Sequence, residues 1–169
     1  TLADLIGQSK VSDLVMIGGN PAFDAPADLK FAKLLKKVPN STHLSYYQNE
    51  TSRLSKWHLN RTHDLEQWDD PRSYEGTITL TQPMIRPLHD GKSANEFLAS
   101  FLGDFEAKGF DLVQESLAGG AVDAAFSKKW HDYLYIGYVR GSEFKYGNFS
   151  IDHNTALKIA LKGLRAPVI

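Results

Sequence analysis

An apolar run, Asp13 to Ile17, stops at Gly18-Gly19-Asn20-Pro21; an amphipathic stretch follows, and then a second apolar run from Thr42 to Tyr47. No other feature narrows the fold as much. A short apolar run bounded by glycine predicts a buried strand. Beyond it, Asp24 or Pro26 opens a helix with apolar positions Leu29, Phe31, Ala32, Leu34 and Leu35, and with lysines on the other face and in the last turn. Strand, helix of about three turns, strand is a βαβ unit, which implies a parallel sheet and a right-handed crossover. The glycines at the carboxyl end of the first strand have two readings. They form a plain βα turn, or a loop where a ligand's phosphate or polar ring comes close to bare backbone. Spacing alone favours the plain turn, because the dinucleotide pattern G-x-G-x-x-G is absent.

The rest of the chain extends this pattern. Leu2, Leu5 and Ile6 have helical spacing. Asn49 caps a short helix with Glu50 and Thr51 in its first turn. Trp57–Leu59 and Thr77–Leu80 read as a third and a fourth strand. Two prolines make residues 81–93 an extended surface arm. Ser93, with Glu96 three residues on, is a capping box before a helix. Further helices are expected over "FDLVQESLAGG", "AVDAAFSKKWHDYL" and "TALKIALKGLR", and a strand or hairpin over "YIGYVRGSEFKYG". Strand and helix alternate in the first half, and the second half is more helical.

Composition excludes some function classes. The 169 residues suit one domain, and with 42% hydrophobic residues they are ordinary for a globular chain. Nineteen Lys and Arg against 20 Asp and Glu leave a net charge of −1, so no strong field for nucleic acid or an anionic membrane is implied. No run approaches the roughly 18 apolar residues of a membrane helix. There is no cysteine, which removes disulfides, thiol nucleophiles and thiolate ligands for an iron–sulfur cluster within this segment. A start at Thr1 without methionine suggests a processed protein or a fragment of a longer one.

A second cluster, His58, His63, Asp64, Glu66, Asp69 and Asp70, crowds acid/base and metal-ligating side chains together. His63 and Glu66 would share a face if the segment were helical. The spacing matches no compact ligand motif, and a solvated loop with helix-capping acids is the plainer reading. The turn His89–Gly91 and the aromatics Trp57, Trp68, Trp130, Tyr46, Tyr47, Tyr133 and Tyr135 read as surface, core or interface residues.

Taken in order, "IGGNPAFDAPADL", "HLSYYQNETSRLSKWHL" and "HDLEQWDD…EGTITLTQP" resemble molybdopterin oxidoreductases of the dimethyl-sulfoxide-reductase type, over about residues 14–83. "LTQPMIRPLHDGKSANEFLASFLG" looks closer to one branch, the molybdopterin-oxidoreductase-like iron–sulfur subunit of alternative complex III, a bacterial membrane quinol oxidoreductase. With that branch the resemblance runs over nearly the whole chain. It implies an α/β fold with a Rossmann-like, mostly parallel sheet flanked by helices. It also implies that Gly18, Gly19, Asn20 and Pro21 form a loop facing the guanine-dinucleotide arm of a molybdopterin cofactor, with Glu50 and Thr51 in a second loop beside it. Gly19 replaces the family's acidic residue, and Leu59-Asn60 its Leu-Pro. The alternative-complex-III branch is thought to keep the fold without the molybdenum cofactor, with Fe–S clusters in other domains. Residues 1–169 would then be one excised domain, inactive alone, that docks other domains of its parent chain and subunits of a membrane complex at the periplasmic face, without entering the membrane itself. Two readings from other classes remain: a stand-alone nucleotide- or phosphate-binding module using residues 18–21, and a metal-dependent hydrolase using His58, His63, Asp64 and Glu66.

Overall fold

Three parallel strands, β1 (Asp13–Ile17), β2 (Asn40–Ser45) and β3 (Trp57–Asn60), form a sheet in the order β1-β2-β3, flanked by helices, in a computed structural model that describes residues 1–147, 150 and 152–163. Asp13 lies opposite Asn40 and Ile17 opposite Leu44, while Thr42 lies opposite Trp57 and Ser45 opposite Asn60. All three carboxyl ends therefore meet at one edge. Helix α1 (Leu2–Gly7) precedes the sheet.

The β1–β2 connection departs from a single helix. It contains α2 (Pro21–Asp24), a 3-10 turn (Ala27–Leu29) and α3 (Phe31–Leu35). Pro21 suits the first helical position, where its missing N–H costs nothing. Pro26 then excludes Ala25 from the helical region, and Ala25 is extended at φ −65°, ψ 148°. Lys30 takes a left-handed conformation, φ 49°, and makes the second break. The apolar periodicity across 24–35 is genuine, but proline chemistry overrides it. The crossover from β2 to β3 is α4 (Glu50–Leu54), capped as expected: the Asn49 side-chain Oδ1 accepts from the Ser52 N–H at 3.1 Å.

The first strand is not the buried strand its composition predicts. It is an edge strand, and Val15 and Ile17 are 40% and 38% exposed. The central strand is the buried one. Leu44 is fully buried on one face; Ser41, His43 and Ser45 are buried on the other, where His43 meets Ser52 of α4.

The fourth predicted strand belongs to a separate sheet. β4 (Ile78–Thr79) pairs antiparallel with β5 (Tyr138–Val139). Around it are α5 (Ala94–Phe101), α6 (Gly109–Ala118) and α7 (Ala124–Ile136). Helix α8 covers His153–Gly163, and the last two residues predicted for it lie outside the described residues. The capping box at α5 forms in both directions, at 3.2 Å from Glu96 N to Ser93 Oγ and 2.9 Å from Ser93 N to Glu96 Oε2. The other oxygen of Glu96 accepts from Gly109 N at 3.0 Å, so one carboxylate also holds the start of α6. Val113, Phe126 and Trp130 form a core cluster, with Trp68 and Leu80 packed against it. Trp57, by contrast, is 66% exposed.

Among the described residues no helix is long and apolar enough to cross a membrane. The arm after β4 lies on the surface, with Met84 and Leu88 exposed, and is held by Met84 N–H and Ile85 N–H to the Leu65 carbonyl and by Leu88 N–H to Glu66. Because Trp130 is buried and stacked on Phe126, Trp130→Ala is expected to cost about 3–5 kcal/mol, read as a lowered urea midpoint.

Candidate functional site

The carboxyl edge of the sheet brings together both segments singled out in the sequence. Gly18 and Gly19 both hold left-handed backbone, φ 67° and 68°. The positive φ calls for glycine at Gly18, while a β-carbon there would sit 3.1 Å from the flexible end of Arg61, which a small side-chain shift would accommodate. Gly18 N–H donates to the Leu44 carbonyl at 2.8 Å and prolongs the β1–β2 pairing by one bond.

Asn20 then joins the two loops. Its side-chain Oδ1 accepts from Thr51 N–H at 3.1 Å and Thr51 Oγ1–H at 2.8 Å, and its side-chain Nδ2 donates to Glu50 Oε2 at 2.7 Å. Thr51 Oγ1 accepts in turn from Ala22 N–H at 2.9 Å. The Asn49 amide adds a 3.4 Å bond to the Gly19 carbonyl. Thr51 is fully buried and Glu50 exposed. The bond from Asn20, reinforced by a backbone N–H, holds the Glu50 carboxyl below the ordinary glutamate range.

These bonds occupy most of the donors that a phosphate would use. Pro21 has no N–H, Asn20 N–H donates to Asp24, Ala22 N–H to Thr51, and Phe23 and Asp24 N–H to the Asn20 carbonyl. Glu50 adds a negative charge at the rim. The arrangement is a cross-braced junction of two loops rather than a cradle of open amides.

Sequence reasoning missed two features of this region. Arg61, just past β3, lies over the Tyr46 ring at 5.0 Å from its centroid, and its Nε is buried without a partner. Burial raises the Tyr46 phenol above its usual range, although Arg61 opposes the shift. His43, fully buried in β2, has Nδ1 2.8 Å from Ser52 Oγ and Nε2 3.3 Å from the Gly18 carbonyl, so it spans from α4 to the glycine loop. A histidine inside a run that otherwise reads as buried strand was the available signal. Its neighbour across the sheet is His58, with ring centroids 6.2 Å apart.

The histidine and carboxylate cluster is dispersed into structural roles. His63 caps a 3-10 turn (Asp64–Glu66), with Leu65 N–H donating to its Nδ1 at 3.2 Å. Glu66 accepts from His63 N–H at 2.8 Å and Leu88 N–H at 3.0 Å, and these bonds lower its pKa. His63 and Glu66 meet through this capping box, with His63 extended just ahead of the turn rather than on a helical face. Asp64 accepts from the Tyr46 hydroxyl at 3.3 Å, and His58 packs on His43. Among the described residues no three His, Cys, Asp or Glu side chains are grouped as a metal site.

Compared with known protein families and with curated proteins, the chain matches none of them.

Replacing Asn20 by Ala is expected to destabilise the fold by about 1–3 kcal/mol, since Thr51 N–H loses its acceptor in a buried position. The Glu50 carboxyl should titrate closer to its ordinary range in that variant. Glu50 stabilises the native state above the ordinary glutamate range, and this is lost as pH falls through it; carboxyl NMR of wild type and variant checks both. His58 acts in the same sense at higher pH: burial first, then His43, lowers its pKa, so the unfolded state binds the proton more readily. Stability should therefore rise with pH through the ordinary histidine range, and His58→Gln should flatten that slope in denaturation curves.

Proposed function

We propose that this chain is a scaffold domain of a molybdopterin-oxidoreductase-like subunit, of the kind found in alternative complex III, and that it shapes one wall of a cofactor cleft or of its relic. In this reading the three-stranded sheet is the core of a Rossmann-like domain with a more helical second half. The domain is inactive alone; it docks other domains of its parent and subunits of a quinol-oxidising membrane complex at the bacterial periplasmic face.

One observation carries the reading. The Gly18–Pro21 loop and the Glu50–Thr51 turn, far apart in sequence, are bonded to each other at the carboxyl edge of a parallel sheet, through Asn20. That edge is where open α/β sheets place ligands. The same bonds favour a scaffold over a working phosphate or nucleotide cradle, because they leave Asn20 and Thr51 occupied with each other. They also count against the stand-alone nucleotide module, for which a guanine nucleotide would protect the chain against heat.

The test is the metal and pterin content of the parent protein purified from its own host. Iron without molybdenum, tungsten or pterin is the expected result. Stoichiometric molybdenum or tungsten with pterin fluorescence would make residues 18–21 and 50–51 working cofactor contacts instead. Neither iron nor molybdenum would refute the redox assignment.

A further inference from the structure

A cavity of about 180 Å³ opens between α4 and β3, lined by Gln48, Ser52, Arg53, Ser55, Lys56 and His58. Its lining holds two cations, two hydroxyls, an amide and an imidazole, with no apolar side chain and no carboxylate. In a chain of net charge −1 such a lining is not the local expression of a basic protein. Neither Arg53 nor Lys56 is in a salt bridge among the described residues; Glu50 is an acid whose charge interacts with Arg53, and it stays beyond ion-pair contact. His58 Nδ1 is buried with no hydrogen-bond partner.

We infer that this cavity binds a phosphate group, free or carried on a larger molecule. A tetrahedral oxyanion supplies what the lining lacks. Its oxygens accept from the Arg53 guanidinium, which suits paired bonds to phosphate, and from the Lys56 ammonium. A bound anion beside the His58 ring favours its protonated form through charge. The volume admits the phosphate group and leaves a carrier in solvent. The site is separate from the Asn20 junction and does not depend on the redox reading. His58 also borders a second cavity, of about 400 Å³, with His89, Asp90 and Lys92; the groups facing its ring further include His43 and Asn60.

The test is calorimetric titration of the full chain with inorganic phosphate, and separately with AMP, against chloride at equal ionic strength. Saturable binding of one phosphate is expected, with the His58 resonance titrating at higher pH when phosphate is present. Arg53 and Lys56 are both exposed, so Arg53→Gln with Lys56→Gln should leave the circular dichroism unchanged. That double variant should weaken binding by at least about tenfold and abolish the His58 shift. Tighter binding of AMP than of phosphate identifies a carried phosphate; equal or weaker binding identifies the free ion. No saturable binding beyond the chloride control, or binding that the double variant leaves intact, would overturn the assignment. So would binding that leaves the His58 titration unmoved.

Discussion

The carboxamide of Asn20 is the bond on which the arrangement of the sheet's carboxyl edge depends. It satisfies a buried N–H and a buried hydroxyl of Thr51 and bonds the Glu50 carboxylate. Thr51 passes the connection on to Ala22. A hydroxyl that donates to one group while accepting from another is polarised by both, so the chain of bonds is stronger than its members taken singly. Without it, two short helices of four and five residues would have little to fix their entry angles. Helices of that length are not stable by themselves, and tertiary bonds have to position them.

The central strand carries an unusual load for a parallel sheet. Such strands are commonly apolar on both faces. Here the helix-facing side of β2 is Ser41, His43 and Ser45, each buried and two of them bonded: Ser41 Oγ accepts from Lys56 N–H, and His43 meets Ser52 and Gly18. The face is held by direction-specific bonds as well as by area removed from water. Tolerance of substitution differs accordingly. An apolar face accepts volume-conserving changes, whereas each polar group on this face needs a partner in a fixed place.

Much of the architecture was legible because it follows from local chemistry. The first strand, the Asn49 cap and the Ser93/Glu96 capping box were all readable, since each is set by residues within four positions of one another. The broken helix was not, although Pro26 was visible; the apolar spacing of Leu29 to Leu35 suited a longer helix, and the left-handed turn at Lys30 has no glycine to announce it. The exposure of β1 was illegible for a different reason: composition reports that a strand is apolar, not whether it lies at an edge. At the candidate site the two loops could be named but their mutual bonds could not, since Asn20 and Thr51 are 31 residues apart. Arg61 and His43 were overlooked because one looks like an ordinary surface cation and the other like a strand residue.

The two sheets differ in how far the chain must travel to build them. Neighbouring strands of the parallel sheet are joined by connections far shorter than the stretch between β4 and β5, which are locked by a bond from Ile78 N–H to Ser142 Oγ across 64 residues. Loop-closure entropy grows with that distance and has to be met before the contact returns any energy. The small antiparallel sheet is therefore expected to form late and open early. Its amides should exchange with deuterium faster than those of β2, so that residues 1–60 keep their order while the two ends of the later segment come apart.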